Sequence, residues 1–374
     1  MLQPRDTQYR QVDNILHDIH LNTYMEAFSG ELHLLSILRS KAMSDYKKFL
    51  LKCSLFGILS AATVLTGEYV IRRYVDNPYK YKHEWMTRNA SRVEILILGS
   101  SHTYYGINPG CFSPQKAFNL ANSSQLLHYD YLLLTKYARQ YKNLSTVILP
   151  ISYHTFFDPE YEDSETEWIY ATNYKIYMDI DVHSDFSKYN FEFSRPSIYS
   201  GKLKSLVHGH GLQYDSLGKG MDYPLENKAE DWEKEAVNTA SRHTNTDSKY
   251  TSGHIAYAHK IADFCCQHNI ELILITTPTW HTYYEHLDAR QVATTDSIAK
   301  TLQEKYGLRY FNYLTDERFT AEDFYDGDHL SSDIGASKFT RIFIHDMNTL
   351  PKGYTVWIQI AHRKCQDKWH GILT

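Results

Sequence analysis

From about residue 92 onward, continuous apolar runs alternate with longer segments in which apolar residues recur every three or four positions. The apolar runs lie at residues 93–98, 146–149, 271–276 and 308–313. A run of this kind is typical of a strand buried on both faces. The helix-like segments lie at residues 125–141, 255–268, 288–306 and 333–347. Strands that alternate with helices predict an α/β fold, in which helices cover both faces of a mostly parallel sheet.

A second apolar pattern lies near the N-terminus, where residues 53–67 carry no charge. Residues 49–71 are long enough to span about 30 Å of hydrocarbon as a helix, provided that Lys52 extends its ammonium group toward the headgroups. The basic residues before or within this stretch are Arg39, Lys41, Lys47, Lys48 and Lys52. They favour a cytoplasmic N-terminus and an exported C-terminal domain. We therefore predict a single-pass membrane anchor over residues 49–71.

Two other interpretations of this stretch stay open. Its uncharged core also suits a signal peptide, with small residues near Ala61 and Ala62. Cleavage of such a peptide would give a secreted protein instead of an anchored one. The third interpretation is a buried core helix of a soluble protein.

These patterns divide the chain into an N-terminal tail, the anchor, a linker, a main domain and a C-terminal tail. The N-terminal tail, residues 1–48, is cytoplasmic, or is an upstream extension if translation starts at Met43. The remaining parts are a polar linker at 72–91, the α/β domain at 92–349 and a tail at 350–374. Inside the domain, residues from about 156 to 249 form a polar, aromatic-rich insertion. We expect this insertion either to line the site or to be a solvated excursion with its own small core.

Composition narrows the possible functions. The chain has 374 residues and a net charge of -5, and it has no basic stripe, which argues against nucleic-acid binding. Its 31 tyrosines are unusual, and tyrosine faces suit contact with polysaccharide, although a tyrosine-rich surface is also common without that role. The five cysteines form no regular framework, so we interpret them as buried thiols.

The candidate chemistry lies at the two ends of the α/β domain. Gly99, Ser100 and Ser101 directly follow the first predicted strand, and ligands of such sheets bind outside the carboxyl ends of strands. Asp326 precedes His329 by three residues, just before the last predicted helix. A hydroxyl, a base and a carboxylate that orients the base are what nucleophilic acyl transfer requires. Ser100 is the alternative hydroxyl, and Asp328 is the alternative acid.

These two segments resemble the conserved blocks of the SGNH (GDSL-like) hydrolase superfamily. The Gly-Ser-Ser segment is similar to the family's Gly-Asp-Ser block, and Asp326-Gly-Asp-His329 is similar to its Asp-x-x-His block. The resemblance covers roughly residues 92–348, with the insertion unmatched. It implies a three-layer α/β/α sandwich of the SGNH or flavodoxin-like kind. It also implies Ser101 as the nucleophile, His329 as the general base and Asp326 as its orienter.

The oxyanion hole departs from the family pattern. The family supplies the serine N–H, a glycine N–H from a second block and an asparagine side chain from a third. The corresponding segments here, residues 118–125 and 151–154, have neither that glycine nor the Gly-x-Asn sequence. The candidate donors are therefore Ser101, Ala121, Asn122 and Ser152, with His154 as an alternative to Ser152.

Further residues are candidates for substrate contact because of their position beside these segments. They are His102, His154, Trp280 and Tyr283, and structural packing is the competing interpretation for each aromatic ring. The histidines do not form a His-Glu-x-x-His pattern, so we expect no metal site and no cofactor.

A Gly-Ser-Ser block behind a membrane anchor is similar to the membrane-anchored branch of the superfamily that modifies bacterial surface polymers. That branch includes polysaccharide O-acetylation proteins and the D-alanyl transfer protein of teichoic-acid modification. The resemblance implies a serine esterase or O-acyltransferase that acts on acyl groups, most plausibly acetyl, of a cell-surface glycan. The alternative is a non-catalytic subunit of the same shape, which binds the polymer or a membrane-bound acyltransferase.

Overall fold

A computed structural model describes residues 45–161, 168–180, 190–208, 213–245, 247 and 249–349. Internal contacts divide the chain into two compact units, Met1–Arg73 and Tyr74–Thr374. The predicted C-terminal tail, most of the predicted N-terminal tail and the possible start at Met43 lie outside the described residues.

The described part of the first unit is a single helix. This helix, α1, spans Asp45–Tyr74 and has a mean hydropathy of 1.8 in its most apolar window. Its 30 residues correspond to a length of about 45 Å, which exceeds the thickness of a hydrocarbon core. None of that window is buried, so the stretch is not packed like a core helix. In length and composition α1 suits a membrane anchor or a signal sequence.

The second unit is built on a five-stranded, entirely parallel sheet. The strands are β1 (Ile95–Ile97), β2 (Ala117–Asn119), β3 (Thr146–Pro150), β4 (Glu271–Thr276) and β5 (Arg309–Asn312). Their order across the sheet is β2-β1-β3-β4-β5. This is a doubly wound order, in which the connections leave β1 and β3 in opposite directions. The predicted α/β fold with a mostly parallel sheet is confirmed.

The register of the sheet brings the ends of its central strands to one edge. Ile97 of β1 pairs with Ile148 of β3, and Pro150 of β3 pairs with Ile275 of β4. The carboxyl ends of β1 and β3 therefore meet where the strand order reverses, which is the usual ligand position in this type of sheet. The Gly-Ser-Ser segment follows β1 at this point.

Helices cover both faces of the sheet. The longer ones in the described residues are α2 (Pro78–Asn89), α4 (Leu127–Lys136), α5 (Trp168–Met178), α6 (Pro196–His208), α7 (Trp232–His243), α8 (Thr251–Gln267), α10 (Ala289–Tyr306) and α11 (Gly335–Thr349). Two short helices are α3 (Ser101–Gly106) and α9 (His281–Tyr284). Leu96 packs in a core cluster with residues of α2, α4, α8 and α10. Ile95 and Ile97 point to the other face and pack with Phe339 and Phe343 of α11. Because successive residues of β1 pack against helices on opposite faces, the sheet and the two groups of helices form three layers.

Two regions differ from the sequence expectation. The predicted polar linker, residues 72–91, contains helix α2, which Asn77 caps by accepting the Tyr79 and Lys80 N–H groups at 2.9 and 3.1 Å. The segment looked polar because it is rich in lysine, yet Lys82 is fully buried. In the insertion, Tyr174 packs in the same core cluster as Leu96, so this part of it does not form a separate core.

Candidate active site

The turn after β1 holds Ser101 at the start of α3. Gly99 has φ of +108°, and a Cβ there would overlap the Pro150 ring, so both the backbone conformation and the close approach require glycine. The Gly99 N–H donates to Oδ1 of Asp130 at 2.7 Å. Burial raises the pKa of Asp130 to about 7, although hydrogen bonds from Gln125 and Gly99 favour its ionised form. This buried carboxyl anchors the turn from behind.

The loop between β5 and α11 brings Asp326 and His329 to the same edge. Asp326 Oδ1 accepts the backbone N–H of His329 at 2.8 Å and that of Asp328 at 3.1 Å, which orients the carboxylate within its own turn. Gly327 is needed because a Cβ there would overlap Ala236 of α7. The hydrogen bonds to Asp326 and the close approach of Gly327 to Ala236 therefore fix the conformation of this loop.

The three residues that the sequence selected lie within hydrogen-bond reach of one another. His329 Nε2 is 2.7 Å from Ser101 Oγ. His329 Nδ1 is 3.0 and 3.1 Å from the two carboxylate oxygens of Asp326. The side chain of His329 is 12% exposed and that of Asp326 is 31% exposed, so the group opens toward solvent. It is the hydroxyl of Ser101 that faces this histidine.

Asp328, the alternative acid, also contacts His329. Its Oδ1 lies 3.4 Å from His329 Nδ1, and its Oδ2 lies 3.1 Å from His102 Nε2. Its side chain is only 2% exposed. A buried carboxylate needs charged or hydrogen-bonding partners, and the two histidines supply them. Asp326 is the nearer carboxylate to His329, and Asp328 connects His329 to a second histidine.

His102 and Ser152 lie together in the interior behind this carboxylate. An ionised Asp328 can only accept, so His102 carries its proton on Nε2 and donates it to Asp328. The lone pair on His102 Nδ1 then accepts from the Ser152 hydroxyl at 2.6 Å. His102 is 4% exposed and Ser152 is 2% exposed. Their predicted roles were substrate contact and oxyanion donor, but here their polar side-chain atoms bind each other and Asp328.

The electrostatics of the two histidines are opposite. Burial disfavours the protonated form of His329, but the nearby carboxylates of Asp326 and Asp328 outweigh it and raise its pKa well above 6.5. Burial lowers the pKa of His102, and its hydrogen bond to Asp328 only partly compensates. Asp328 is also buried, yet His329 and His102 hold the pKa of its carboxyl well below 3.8. His329 therefore holds a proton readily, whereas His102 stays neutral.

Two more histidines extend the cluster. His154 Nδ1 is 2.7 Å from Asp158 Oδ2, and this carboxylate raises the histidine pKa against the effect of burial. The ring of His154 lies 5.4 Å from that of His102 and 4.4 Å from that of His243, measured between centroids. Burial lowers the pKa of His243 to about 3. No sequence signal points to His243, because it lies in the insertion at the end of α7 and belongs to no motif.

The candidate oxyanion donors differ in availability. The Ala121 N–H donates to Asn119 Oδ1 at 3.1 Å, and the Asn122 N–H donates to the Gly99 carbonyl at 3.1 Å. The Asn122 amide donates to Gln125 Oε1 at 2.8 Å. Ser101 lies in the first turn of α3, where a backbone N–H has no intrahelical acceptor. Of the four candidates, Ser101 thus has the N–H group best placed to donate a hydrogen bond to a new acceptor.

Lys82 holds this loop from α2. Its Nζ donates to the carbonyl oxygen of Ala121 and lies 4.1 Å from the centroid of the Tyr104 ring. Burial lowers the lysine pKa well below 10.5. The segment predicted as a linker therefore supports the loop beside Ser101.

The two aromatic candidates for substrate contact lie in different environments. Trp280 is partly exposed, and its indole N–H donates to Glu233 Oε1 at 3.1 Å. Its ring also packs near Trp232, with centroids 5.5 Å apart. Tyr283 is fully buried, and its hydroxyl is 2.9 Å from His243 Nδ1. Packing therefore accounts for Tyr283, whereas Trp280 retains an accessible edge.

An aromatic wall adjoins His329 instead. Tyr105 and Tyr223 stack with centroids 3.9 Å apart, and Tyr223 stacks on Tyr325 at 4.2 Å. The rings of Tyr105 and Tyr223 both stand edge-on to His329, at 6.1 and 5.2 Å. Tyr223 belongs to the insertion, which therefore lines the site. No sequence signal separated it from the chain's many other tyrosines.

Three side chains among the described residues lie close enough together to bind one metal ion. Ligand atoms of His102, Asp328 and His329 all lie within 4.8 Å of one another. The ring nitrogens of both histidines already have hydrogen-bond partners, namely Ser152 and Asp328 for His102, and Ser101 and Asp326 for His329. An ion would have to displace part of this network.

No protein-family model and no curated protein sequence matches this chain. Among solved structures, it is similar to a GDSL-like lipase from Bacteroides thetaiotaomicron, with 10% identity, a TM-score of 0.35 and coverage of 72% of this chain and 100% of that one. It is also similar to a protein named as an acylhydrolase from Bacteroides fragilis (10% identity, TM-score 0.33, coverage 70% and 95%). A third is a protein named for platelet activating factor from Streptococcus pneumonia (12% identity, TM-score 0.34, coverage 78% and 99%).

Proposed function

We propose that this chain is a serine-dependent enzyme that cleaves or transfers ester-linked acyl groups. The observation that carries the proposal is the position of His329, with Ser101 Oγ at 2.7 Å from one ring nitrogen and Asp326 at 3.0 Å from the other. These are the distances that a nucleophile, a general base and its orienting carboxylate require. The group is partly open to solvent, so an ester carbonyl has access to it.

The geometry supports a two-step reaction. Neutral His329 removes the proton of Ser101 as Oγ attacks the ester carbonyl, a step that such a base accelerates by about 10²- to 10⁴-fold. The Ser101 N–H is placed to receive the developing oxyanion. Protonated His329 then gives its proton to the departing alcohol, which leaves an acyl-enzyme. Water or a sugar hydroxyl, deprotonated by His329, attacks the acyl-enzyme, and His329 gives that proton to Ser101 Oγ as the acyl bond to the serine breaks.

The two carboxylates have separate roles in this proposal. Asp326 holds the His329 ring in the tautomer that keeps Nε2 free to accept from Ser101. Asp328 adds a second negative charge beside Nδ1, which stabilises the imidazolium formed in each step. His102 keeps Asp328 ionised in the interior by donating from Nε2.

The substrate and the cellular location form a separate part of the proposal. We infer an acetylated glycan of the cell surface as the substrate, with α1 as a membrane anchor and the α/β unit exported. The exposed apolar surface of α1 and the aromatic wall beside His329 support this inference. No nucleic-acid partner is proposed.

A fluorophosphonate probe tests the catalytic core of the proposal. We expect the full-length chain to be labelled on Ser101, and labelling to vanish in Ser101→Ala and in His329→Ala. Ser100→Ala is the matched control, because Ser100 is the adjacent residue and its side chain makes no capping hydrogen bond to α3. Labelling that persists in Ser101→Ala but is lost in Ser100→Ala would contradict the assignment of the nucleophile.

A non-catalytic role is the second candidate. Three of the four candidate oxyanion donors already donate to other protein atoms, which favours a binding subunit of a membrane acyltransferase system. In that case, Ser101→Ala would leave surface acylation unchanged, whereas loss of the whole chain would abolish it. The enzyme proposal requires that Ser101→Ala and loss of the chain have the same effect.

A further inference from the structure

A large cleft opens beside the catalytic group, in the unit that begins at Tyr74. Its volume is about 650 Å³, within the range typical of ligand sites. Its aromatic lining consists of Tyr74, Tyr79, Tyr104, Tyr105 and Tyr170. Tyr105 also stands edge-on to His329, with ring centroids 6.1 Å apart, so one side chain of the lining is shared with the surroundings of the catalytic histidine. A molecule bound here could present an ester to Ser101.

The lining of the cleft mixes apolar side chains, among them Val75, Ile198 and Leu206, with polar ones, which favours an occupant that has both kinds of surface. Amide side chains of Asn77, Asn122, Asn173 and Gln213 line it, and so does the Ser123 hydroxyl. Asn77 and Asn122 are buried, whereas Asn173 and Gln213 are open to water, so covering these last two amides with alkyl groups would cost free energy without giving hydrogen bonds in return. Aromatic faces interspersed with amides and hydroxyls match a ligand that has both C–H faces and hydroxyl groups. A sugar chain has this surface.

The charges of the lining disfavour anionic ligands. Asp76 and Asp222 each bring a carboxylate to the cleft, and its one lysine, Lys202, is held by Glu192 at 2.6 and 2.7 Å. The lysine charge is thus neutralised within the protein, whereas the Asp76 and Asp222 carboxylates face the cleft. An anionic ligand would meet like charges at short range.

We propose that this cleft binds the sugar chain of the substrate, and that this chain is uncharged or carries amino groups. Glycans that carry phosphate or uronic acid groups are excluded by the carboxylates of the lining. This inference rests on the proposed function, because it names the substrate class of the same site. The cleft supplies binding and orientation, and the chemistry remains with Ser101 and His329.

Binding to the inactive variant Ser101→Ala tests the inference without any chemistry. The full chain is kept in a detergent that lacks a sugar headgroup, and titration calorimetry is run with chitotetraose, with its de-acetylated amino form and with tetragalacturonate. We expect the first two to bind and tetragalacturonate to bind at least about tenfold more weakly, because like charges repel it. Equal or tighter binding of tetragalacturonate overturns the inference, as does failure of both other sugars to bind.

Three variants in the Ser101→Ala background, one of them a control, test whether the sugar binds in this cleft. Tyr74 is 64% exposed, so Tyr74→Ala should weaken chitotetraose binding without affecting the fold. Tyr250→Ala, outside the cleft lining, is the matched control and should not change it. Asp222→Lys should strengthen tetragalacturonate binding and weaken binding of the amino sugar. Identical binding in all three variants would place the sugar elsewhere.

A separate activity measurement distinguishes failure of this inference from failure of the proposed function. Hydrolysis of 4-nitrophenyl acetate by the chain with Ser101 intact reports the catalytic group, because this small ester does not need the cleft. Sugar binding without Ser101-dependent hydrolysis would reject the enzyme and keep the cleft assignment. Hydrolysis without sugar binding would reject the cleft assignment and keep the enzyme.

Discussion

Two sets of serine, histidine and aspartate meet at one loop of this molecule. The open set is Ser101, His329 and Asp326, and the buried set is Ser152, His102 and Asp328. In the open set the serine faces Nε2 and the aspartate faces Nδ1, at 2.7 and 3.0 Å. In the buried set these positions are exchanged, with the serine on Nδ1 at 2.6 Å and the aspartate on Nε2 at 3.1 Å.

The comparison teaches that three residue types within hydrogen-bond reach do not make a reacting group. Ser152 is only 2% exposed, so no ester carbonyl reaches its hydroxyl. Burial also lowers the pKa of His102, so its ring resists accepting the proton that a nucleophile must release. The carboxylates beside His329 raise its pKa and make it a stronger base. Access and proton affinity, more than residue type, distinguish the two sets.

The largest expected effect separates the two serines. Ser101→Ala should lower kcat/KM for 4-nitrophenyl acetate by at least about 10³-fold, because it removes the atom that forms the acyl-enzyme. Ser152→Ala should lower it by less than about tenfold, since it removes one buried hydrogen bond worth about 1 kcal/mol. A loss of similar size in both variants would mean that the comparison is wrong.

The next largest effect concerns the nearer carboxylate. Asp326→Asn should lower kcat by about 10²- to 10³-fold, which is less than the roughly 10⁴-fold loss typical of a triad with one carboxylate. The reason is that Asp328 remains 3.4 Å from the same ring nitrogen of His329. The double variant with Asp328→Asn should reach the full loss. If Asp326→Asn alone already reaches it, Asp328 has no supporting role.

A smaller effect appears in the pH dependence. The proposed reaction uses His329 as a base in its neutral form, so kcat/KM should rise with pH through an apparent pKa above 6.5. Asp328→Asn removes one carboxylate that stabilises the protonated ring, so the apparent pKa should fall and the rise should move to lower pH. A pH–rate profile between pH 5 and 9 measures the direction of this shift.

His102→Gln is the control for this measurement. It removes the buried ring but retains the Asp328 carboxylate, so its profile should move less than that of Asp328→Asn. Thermal unfolding of each variant, followed by circular dichroism, shows whether the fold is retained. If both profiles coincide with that of the unchanged protein, Asp328 does not set the proton affinity of His329.

The open set was predictable from the sequence, whereas the buried set was not. Ser101 follows an apolar strand, and the Asp-x-x-His spacing places Asp326 beside His329 within one loop. The role of Asp328 depends on His102, which comes from the other end of the domain and carries no pattern of its own. Only the fold brings the two together.

The same distinction holds for the elements of the fold. β4 occurs as predicted at Glu271–Thr276, and α10 ends as predicted at Tyr306, where Gly307 follows as the cap with φ of +67°. β2 has three residues, too few to show a periodicity, and was not predicted. Helix α2 was missed because its buried face includes Lys82, whose partner, the Ala121 carbonyl, is 39 residues away. Local patterns identify elements that bury apolar faces, but not those held by distant polar partners.

The smallest expected effect is that of removing metal ions, which would bind where the open and the buried set meet. The ligand atoms of His102, Asp328 and His329 lie within 4.8 Å of one another, which would suit a metal ion. The ring nitrogens of both histidines already hydrogen-bond to serine and aspartate side chains, and His329 Nε2 must stay free of metal to accept the proton of Ser101. Dialysis against EDTA should therefore leave kcat/KM for 4-nitrophenyl acetate unchanged within about twofold. If EDTA lowers kcat/KM and added Zn²⁺ restores it, Asp328 is a metal ligand, and the comparison of the open set with the buried set loses its basis. Added Zn²⁺ without prior chelation should inhibit, because it would compete with the Ser101 proton for His329.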